Sequence, residues 1–196
     1  MDHDPEWDGG YYQLAICLGP RDDARVAAAV TTLADGAGIG ASIDGRSLCT
    51  DGDAKRRVAL PFATERPPQA ADDVACVIGL VRESDAEDTE NSGDDWLDLS
   101  IPLGSLARVE GRVGAYPFDS PDDAGRSLAW RAPLDAWFVD IARAVDVVQP
   151  FRFAVIGFNV SGEWPPLSEA GTAAAERHVT WLVRHGGALR VLPANR

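Results

Sequence analysis

A chain of 196 residues with 45% hydrophobic and 25% charged side chains has the make-up of a globular protein, not of a disordered one. Its formal net charge of -13 is uneven: residues 1–100 hold 21 acids against 8 bases, while residues 101–196 hold 10 of each. Such a field repels phosphate backbones and argues against nucleic acid as a partner, and no apolar run reaches the roughly 18 residues of a membrane span.

At this length a single core burying roughly 70% of the unfolded surface is expected, hence one domain over residues 1–196. The opening "MDHDPEWDGG" is acidic, with neither the basic nor the apolar segment of a secretory leader, and the expected compartment is cytoplasmic. Cys17, Cys49 and Cys76 are odd in number and widely spaced, which fits reduced thiols better than a disulfide framework. Lys55 is the one lysine beside 17 arginines, a bias typical of GC-rich bacterial genomes that carries no functional message.

In chain order, "GYYQLAICLG" is rich in strand formers and apolar on both alternating sets, the pattern of a strand covered on both faces. After Gly19-Pro20 a helix is expected near 22–35, with Asp22 and Asp23 at its positive end and Val26, Val30 and Leu33 on one face. Asp44-Gly45 and Asp51-Gly52 are strong hairpin signals and predict a meander of short strands. "VACVIGLV" is continuously apolar and reads as an interior strand. In "WLDLSIPL", Leu97, Leu99 and Ile101 alternate with Asp98 and Ser100, so one face is expected to be wet. A short helical turn from Ser105 and then a loop precede the clearest helix, 134–148, whose stripe of Leu134, Trp137, Phe138, Ile141, Val145 and Val148 ends at Pro150. "FRFAVIGFNV" is again apolar on both faces, and a C-terminal β-hairpin turns at Gly186-Gly187. The order predicts an α+β sandwich with a mixed, mostly antiparallel sheet and two main helices.

Few motifs carry chemistry. The acidic loop 83–95 offers Asp88, Glu90 and Ser92 in EF-hand register with Gly93 at the sixth position, but Leu99 occupies the twelfth, where calcium needs a bidentate Glu. The glycines of "GAGIGASIDG" leave a helix instead of opening one, the wrong polarity for a phosphate cradle. His3, His178 and His185 form no metal motif, and "GFNVSGEW" places Ser161 near glycines without the spacing of a hydrolase elbow. No metal, cofactor or catalytic residue is therefore assigned.

Two functions are expected from these residues. The first is a non-catalytic protein-binding module, analogous in physical type to immunity or inhibitor proteins. Its acidic surface, with Glu87, Asp88, Glu90 and Asp95, and its aromatic anchors Trp96 and Trp164 would dock a basic protein. The second is a small-molecule binder or enzyme with a pocket between sheet and helices, using Asp98, Arg152, Asn159 and His178 as polar groups. A homo-oligomer is compatible with either.

Overall fold

The computed structural model describes residues 4–39, 43–60, 73–82, 93–113, 121–162 and 177–195. These form one antiparallel sheet of seven strands: β1 (Tyr11–Pro20), β2 (Asp53–Val58), β3 (Val74–Arg82), β4 (Asp94–Pro102), β5 (Phe153–Phe158), β6 (Thr180–His185) and β7 (Ala188–Leu192). Their order across the sheet is β2-β3-β4-β1-β5-β6-β7. The α+β class and the antiparallel sheet are as expected. Two meanders, β2-β3-β4 and β5-β6-β7, flank β1, which pairs with β4 on one side and β5 on the other. Its position in the middle of the sheet explains why both of its side-chain sets had to be largely apolar.

Among the described residues four α-helices accompany the sheet: α1 (Asp23–Gly36), α2 (Gly45–Asp51), α3 (Leu103–Leu106) and α4 (Pro121–Val148). The Asp22 side chain caps α1 by accepting from the backbone N–H groups of Ala24 and Arg25 at 2.9 and 3.1 Å. Val26, Val30 and Leu33 of α1 and Leu134, Phe138, Ile141 and Val145 of α4 pack over Leu14 and Ile16 of β1 and Leu97 and Leu99 of β4. Each such aliphatic side chain contributes about 1.5–3 kcal/mol of gross hydrophobic stabilisation. On the opposite face Ala15, Cys17, Trp96, Phe153, Val155, Trp181 and Val183 form a second, smaller cluster. No helix among the described residues is long and apolar enough to cross a membrane.

Three local expectations are corrected. The two Asp-Gly pairs bound α2 instead of turning hairpins. The Asp44 carboxylate accepts from the Ser47 hydroxyl at 3.1 Å, and its carbonyl accepts from Leu48 N–H at 3.1 Å; Gly52, at φ +80, ends the helix. The left-handed glycine that suits a hairpin suits a helix terminus equally well, so the dipeptide alone does not choose between them. Next, α4 begins at Pro121, not at 134, and carries Pro133, a residue that ordinarily opens helices, in its interior. Finally, β4 is buried along its whole length, with Asp98 5% and Ser100 7% exposed; on the face expected to be wet, Trp96 joins the second cluster and Ser161 from the turn after β5 meets Asp98.

The seat of α2 on α1 is tight. A Cβ on Gly45 would lie 2.5 Å from Ala27 Cα, with no positive φ to confuse the comparison. Gly45→Val is therefore expected to cost about 1–3 kcal/mol by overpacking, read as a lower urea midpoint at unchanged slope.

Candidate functional site

Gln13 is the one polar residue of the central Tyr12–Leu18 run, and it organises the polar part of the second sheet face. The register sets Gln13 opposite Ser100 on β4 and Gly157 on β5, and one row along it sets Ala15 opposite Asp98. Asp98 in turn faces Gly79 on β3, which faces Asp53 on β2. Directly paired residues share a face, so Gln13, Ser100, Asp98 and the bare Gly79 lie side by side.

The turn after β5 closes one end of this group. Asn159 adopts φ 48, a left-handed conformation that asparagine tolerates better than most residues. It is held there by a reciprocal pair: Tyr11 N–H donates to Asn159 Oδ1 at 2.9 Å, and Asn159 N–H donates to the Tyr11 carbonyl at 3.0 Å. Chain direction then brings Val160 N–H to Gln13 Oε1 at 2.9 Å. With its oxygen taken, Gln13 turns its amide nitrogen to Ser161 Oγ at 3.0 Å and Ser100 Oγ at 3.3 Å. The Ser161 hydroxyl, accepting from Gln13, donates its own proton to Asp98 Oδ2.

The chain of donors ends at Asp98. Its second oxygen, Oδ1, is buried without a hydrogen-bond partner among the described residues. Burial pushes the Asp98 carboxyl up to about 6, against the opposing pull of the Ser161 hydrogen bond. A buried carboxylate oxygen with no partner is costly, and native structures keep such groups rarely. Here the group lines a hollow of about 370 Å³ together with Gln13, Ser100, Asn159 and Ser161, floored at Gly79 and rimmed by Asp53, Val77 and Val81. A Cβ at Gly79 would meet nothing closer than 3.9 Å, so the missing side chain is what keeps the hollow open. The hollow lies on the sheet face turned away from the helical layer, not between sheet and helices as expected from sequence.

The residues singled out in the sequence separate. Asp98 and Asn159 come together in the hollow, while Arg152 pairs with Asp94 and exposed His178 is tied by its carbonyl to Arg131 at 2.8 Å. Asp95 and Trp96, read as parts of a docking surface, are each 1% exposed. Asp95 accepts from Arg82 Nε at 2.9 Å and from Asp22 N–H at 3.0 Å, and the Trp96 ring meets Phe153 edge-on at 5.4 Å. Both point inward because β4 is covered on both faces, so neither presents its side chain to a partner. Glu87, Asp88, Glu90 and Trp164 lie outside the described residues.

Two other polar groups are structural in character. Under α4, the Tyr12 hydroxyl donates to Asp135 Oδ1 and the Thr180 hydroxyl donates to Oδ2 at 2.7 Å, beside Arg131, itself 1% exposed. Burial raises the Asp135 carboxyl above its usual range, while Tyr12, Thr180 and the Arg131 charge oppose the rise. Trp130 packs on this group, 5.6 Å from the Tyr12 ring. Cys17 and Cys76 are buried and pushed up to about 12 by desolvation, which leaves both as unreactive thiols near neutral pH. No cluster of three His, Cys, Asp or Glu side chains suited to a metal ion occurs among the described residues.

Sequence reasoning gave Gln13 and Gly79 no part in a site, took Ser100 only as part of a wet strand face, and set Ser161 aside for want of a hydrolase elbow. The available signal was the single amide in an otherwise apolar central strand and the alternation of Asp98 and Ser100 with leucines in β4. Among the described residues, the fold and this hollow thus define a seven-stranded antiparallel α+β protein with a polar recess on the sheet face turned away from its helices. Comparison of the chain with protein-family models, curated proteins and solved structures finds no match.

Proposed function

We propose that the chain is a small-molecule-binding protein whose site is the hollow over Gly79. The observation that carries this reading is Asp98 Oδ1: a carboxylate oxygen, on a residue 5% exposed, left over at the end of an otherwise satisfied hydrogen-bond chain in the wall of a recess. A ligand donating one hydrogen bond to that oxygen would offset its desolvation. The volume suits a molecule at the small end of the usual ligand range, roughly 300–1,000 Å³. Val77 and Val81 supply apolar wall, and the Gln13-Ser161-Asp98 chain supplies orientation.

Binding is favoured over catalysis because the recess brings in neither histidine nor cysteine among its described lining residues, and Ser161 hands its proton to a carboxylate that lacks a relay beyond it. The docking of a basic protein, by contrast, loses Asp95 and Trp96 to the interior and rests on Glu87, Asp88, Glu90 and Trp164, outside the described residues.

Gly79→Val tests the reading. Valine is a good strand former and the position has room for a Cβ, so the variant should fold with unchanged or raised thermal stability. A library of small polar fragments, followed by amide chemical shifts, should yield binders to the parent protein that perturb β1, β3 and β4 and lose at least tenfold in affinity in Gly79→Val. Fragments that bind both proteins equally, or none that bind the parent, would reject the site.

A further inference from the structure

The chemistry around the hollow restricts what it can hold. Among its described lining residues the charged groups are both acidic: Asp98 in the wall and Asp53 at the exposed rim of β2. Strand pairing places Gly79 between them, so a ligand resting on the glycine backbone has a carboxylate on either side. The nearest base along β2, Lys55, turns its ammonium onto the Trp7 ring, 4.5 Å from the centroid. Farther along the same face Arg152 is already engaged with Asp94. An anion entering the recess would meet two acids and no base among these groups, while a neutral ligand would leave the buried charge uncompensated.

Resting on the small-molecule reading above, we infer that the hollow recognises a small organic cation, a protonated primary amine or an amidine, whose N–H group meets Asp98 Oδ1. The remaining parts agree with this assignment. Oδ2 is satisfied by Ser161, so Oδ1 is the single oxygen left to receive the cation's N–H donor. Gln13 cannot turn its oxygen toward the ligand, because Val160 N–H holds it. The carboxylate therefore stands alone as the charge-bearing acceptor in the wall, and Asp53 adds a solvent-screened attraction at the mouth.

Proton linkage follows from the surroundings of Asp98. Facing it are Gly79 and Val81 from β3, Ala15 and Gln13 from β1, Ser161 from the turn after β5, and Asp53 as the remaining titratable group across Gly79. No described cation lies close enough to hold the carboxylate ionised, and burial, opposed by the Ser161 hydrogen bond, sets its titration at about 6. A cationic ligand requires the ionised form, so its binding should weaken as Asp98 takes up a proton.

Benzylamine, with benzyl alcohol as its neutral isostere and benzoate as its anionic counterpart, tests the inference by calorimetry and amide chemical shifts. Benzylamine should bind at least tenfold more tightly than benzyl alcohol at pH 7.5, and benzoate should not bind. Its affinity should fall about tenfold between pH 7 and pH 5, while the ligand itself stays protonated. In Asp98→Asn the preference for the amine and the pH dependence should both vanish, with an unchanged amide spectrum elsewhere showing that the fold persists. Fragments displaced by Gly79→Val that include no amine or amidine would overturn the inference and leave the site intact. A benzylamine affinity indifferent to Asp98→Asn would also overturn it, and the absence of any fragment sensitive to Gly79→Val would remove the site itself.

Discussion

At pH 8 the Asp98→Asn variant is expected to unfold with a free energy about 3 kcal/mol higher than the parent protein, even though it loses the recognition chemistry of the hollow. The Asp98 carboxyl titrates at about 6 in the folded protein against 3.8 ordinarily, so the folded state holds that proton more tightly than the unfolded chain does. Above the folded value, folding must take an unpaired charge out of water, and the two-unit rise sets the cost at about 3 kcal/mol. Below the unfolded value the carboxyl is protonated in both states and the cost disappears. The parent's contribution from this group is thus most favourable below pH 4 and is lost as pH rises through 6. Asparagine keeps the polar contact with Ser161 and carries no charge. Urea titrations of both proteins at pH 8, 6 and 4 should show the gap at its largest at pH 8 and mostly closed at pH 4. Equal stabilities at pH 8 would mean that Asp98 has a partner in solution that relieves its burial.

The largest loss of stability is expected at the polar group beneath α4. Asp135 gathers the hydroxyls of Tyr12 and Thr180 and stands beside the buried Arg131. Asp135→Ala takes away the acceptor of both hydroxyls and the carboxylate beside a buried arginine charge, so unfolding should become easier by about 3–5 kcal/mol. The double variant Asp135→Leu with Arg131→Met removes the charge together with its partner and should recover at least half of the loss. The midpoint of urea unfolding, followed by tryptophan fluorescence, measures both; Trp130 lies against Tyr12 and reports on the group directly. A loss below about 1 kcal/mol for Asp135→Ala would show that water reaches the carboxylate.

How much of this was legible before any coordinates depends on the range of the interaction. Helix α1 was readable because its determinants are local: Asp22 caps it, Val26, Val30 and Leu33 repeat at helical spacing, and a glycine-rich stretch follows, with Gly38 at φ 71 just past its end. The hairpin at Gly186-Gly187 was readable for the same reason, since both glycines take the positive φ that the turn needs. Helix α2 was misread because Asp-Gly satisfies the end of a helix as well as a hairpin, and the choice was made by the fit of Gly45 against Ala27, on a different element. In β4, the alternation of Asp98 and Ser100 with leucines was seen correctly, but water was assumed on the polar side.

The sequence by itself determined the α+β class, the central position of the Tyr11–Pro20 strand and the excess of acid in the first half of the chain, since each follows from composition or from a period of a few residues. Which acids lie outside and which inside was decided only by the tertiary structure. Asp94, Asp95 and Asp98 are adjacent in sequence to the acidic run yet buried, each at 5% exposure or less, because the strand they belong to is covered on both faces. Arginines from β3 and from the segment before β5 reach Asp95 and Asp94, whereas among the described residues Asp98 meets only a serine. That difference arises from strand register across four separate segments, and no short window of sequence contains it. A carboxylate's character depends on what lies within a few ångströms of it, and here that neighbour is distant in sequence, as Ser161 is from Asp98, 63 positions away.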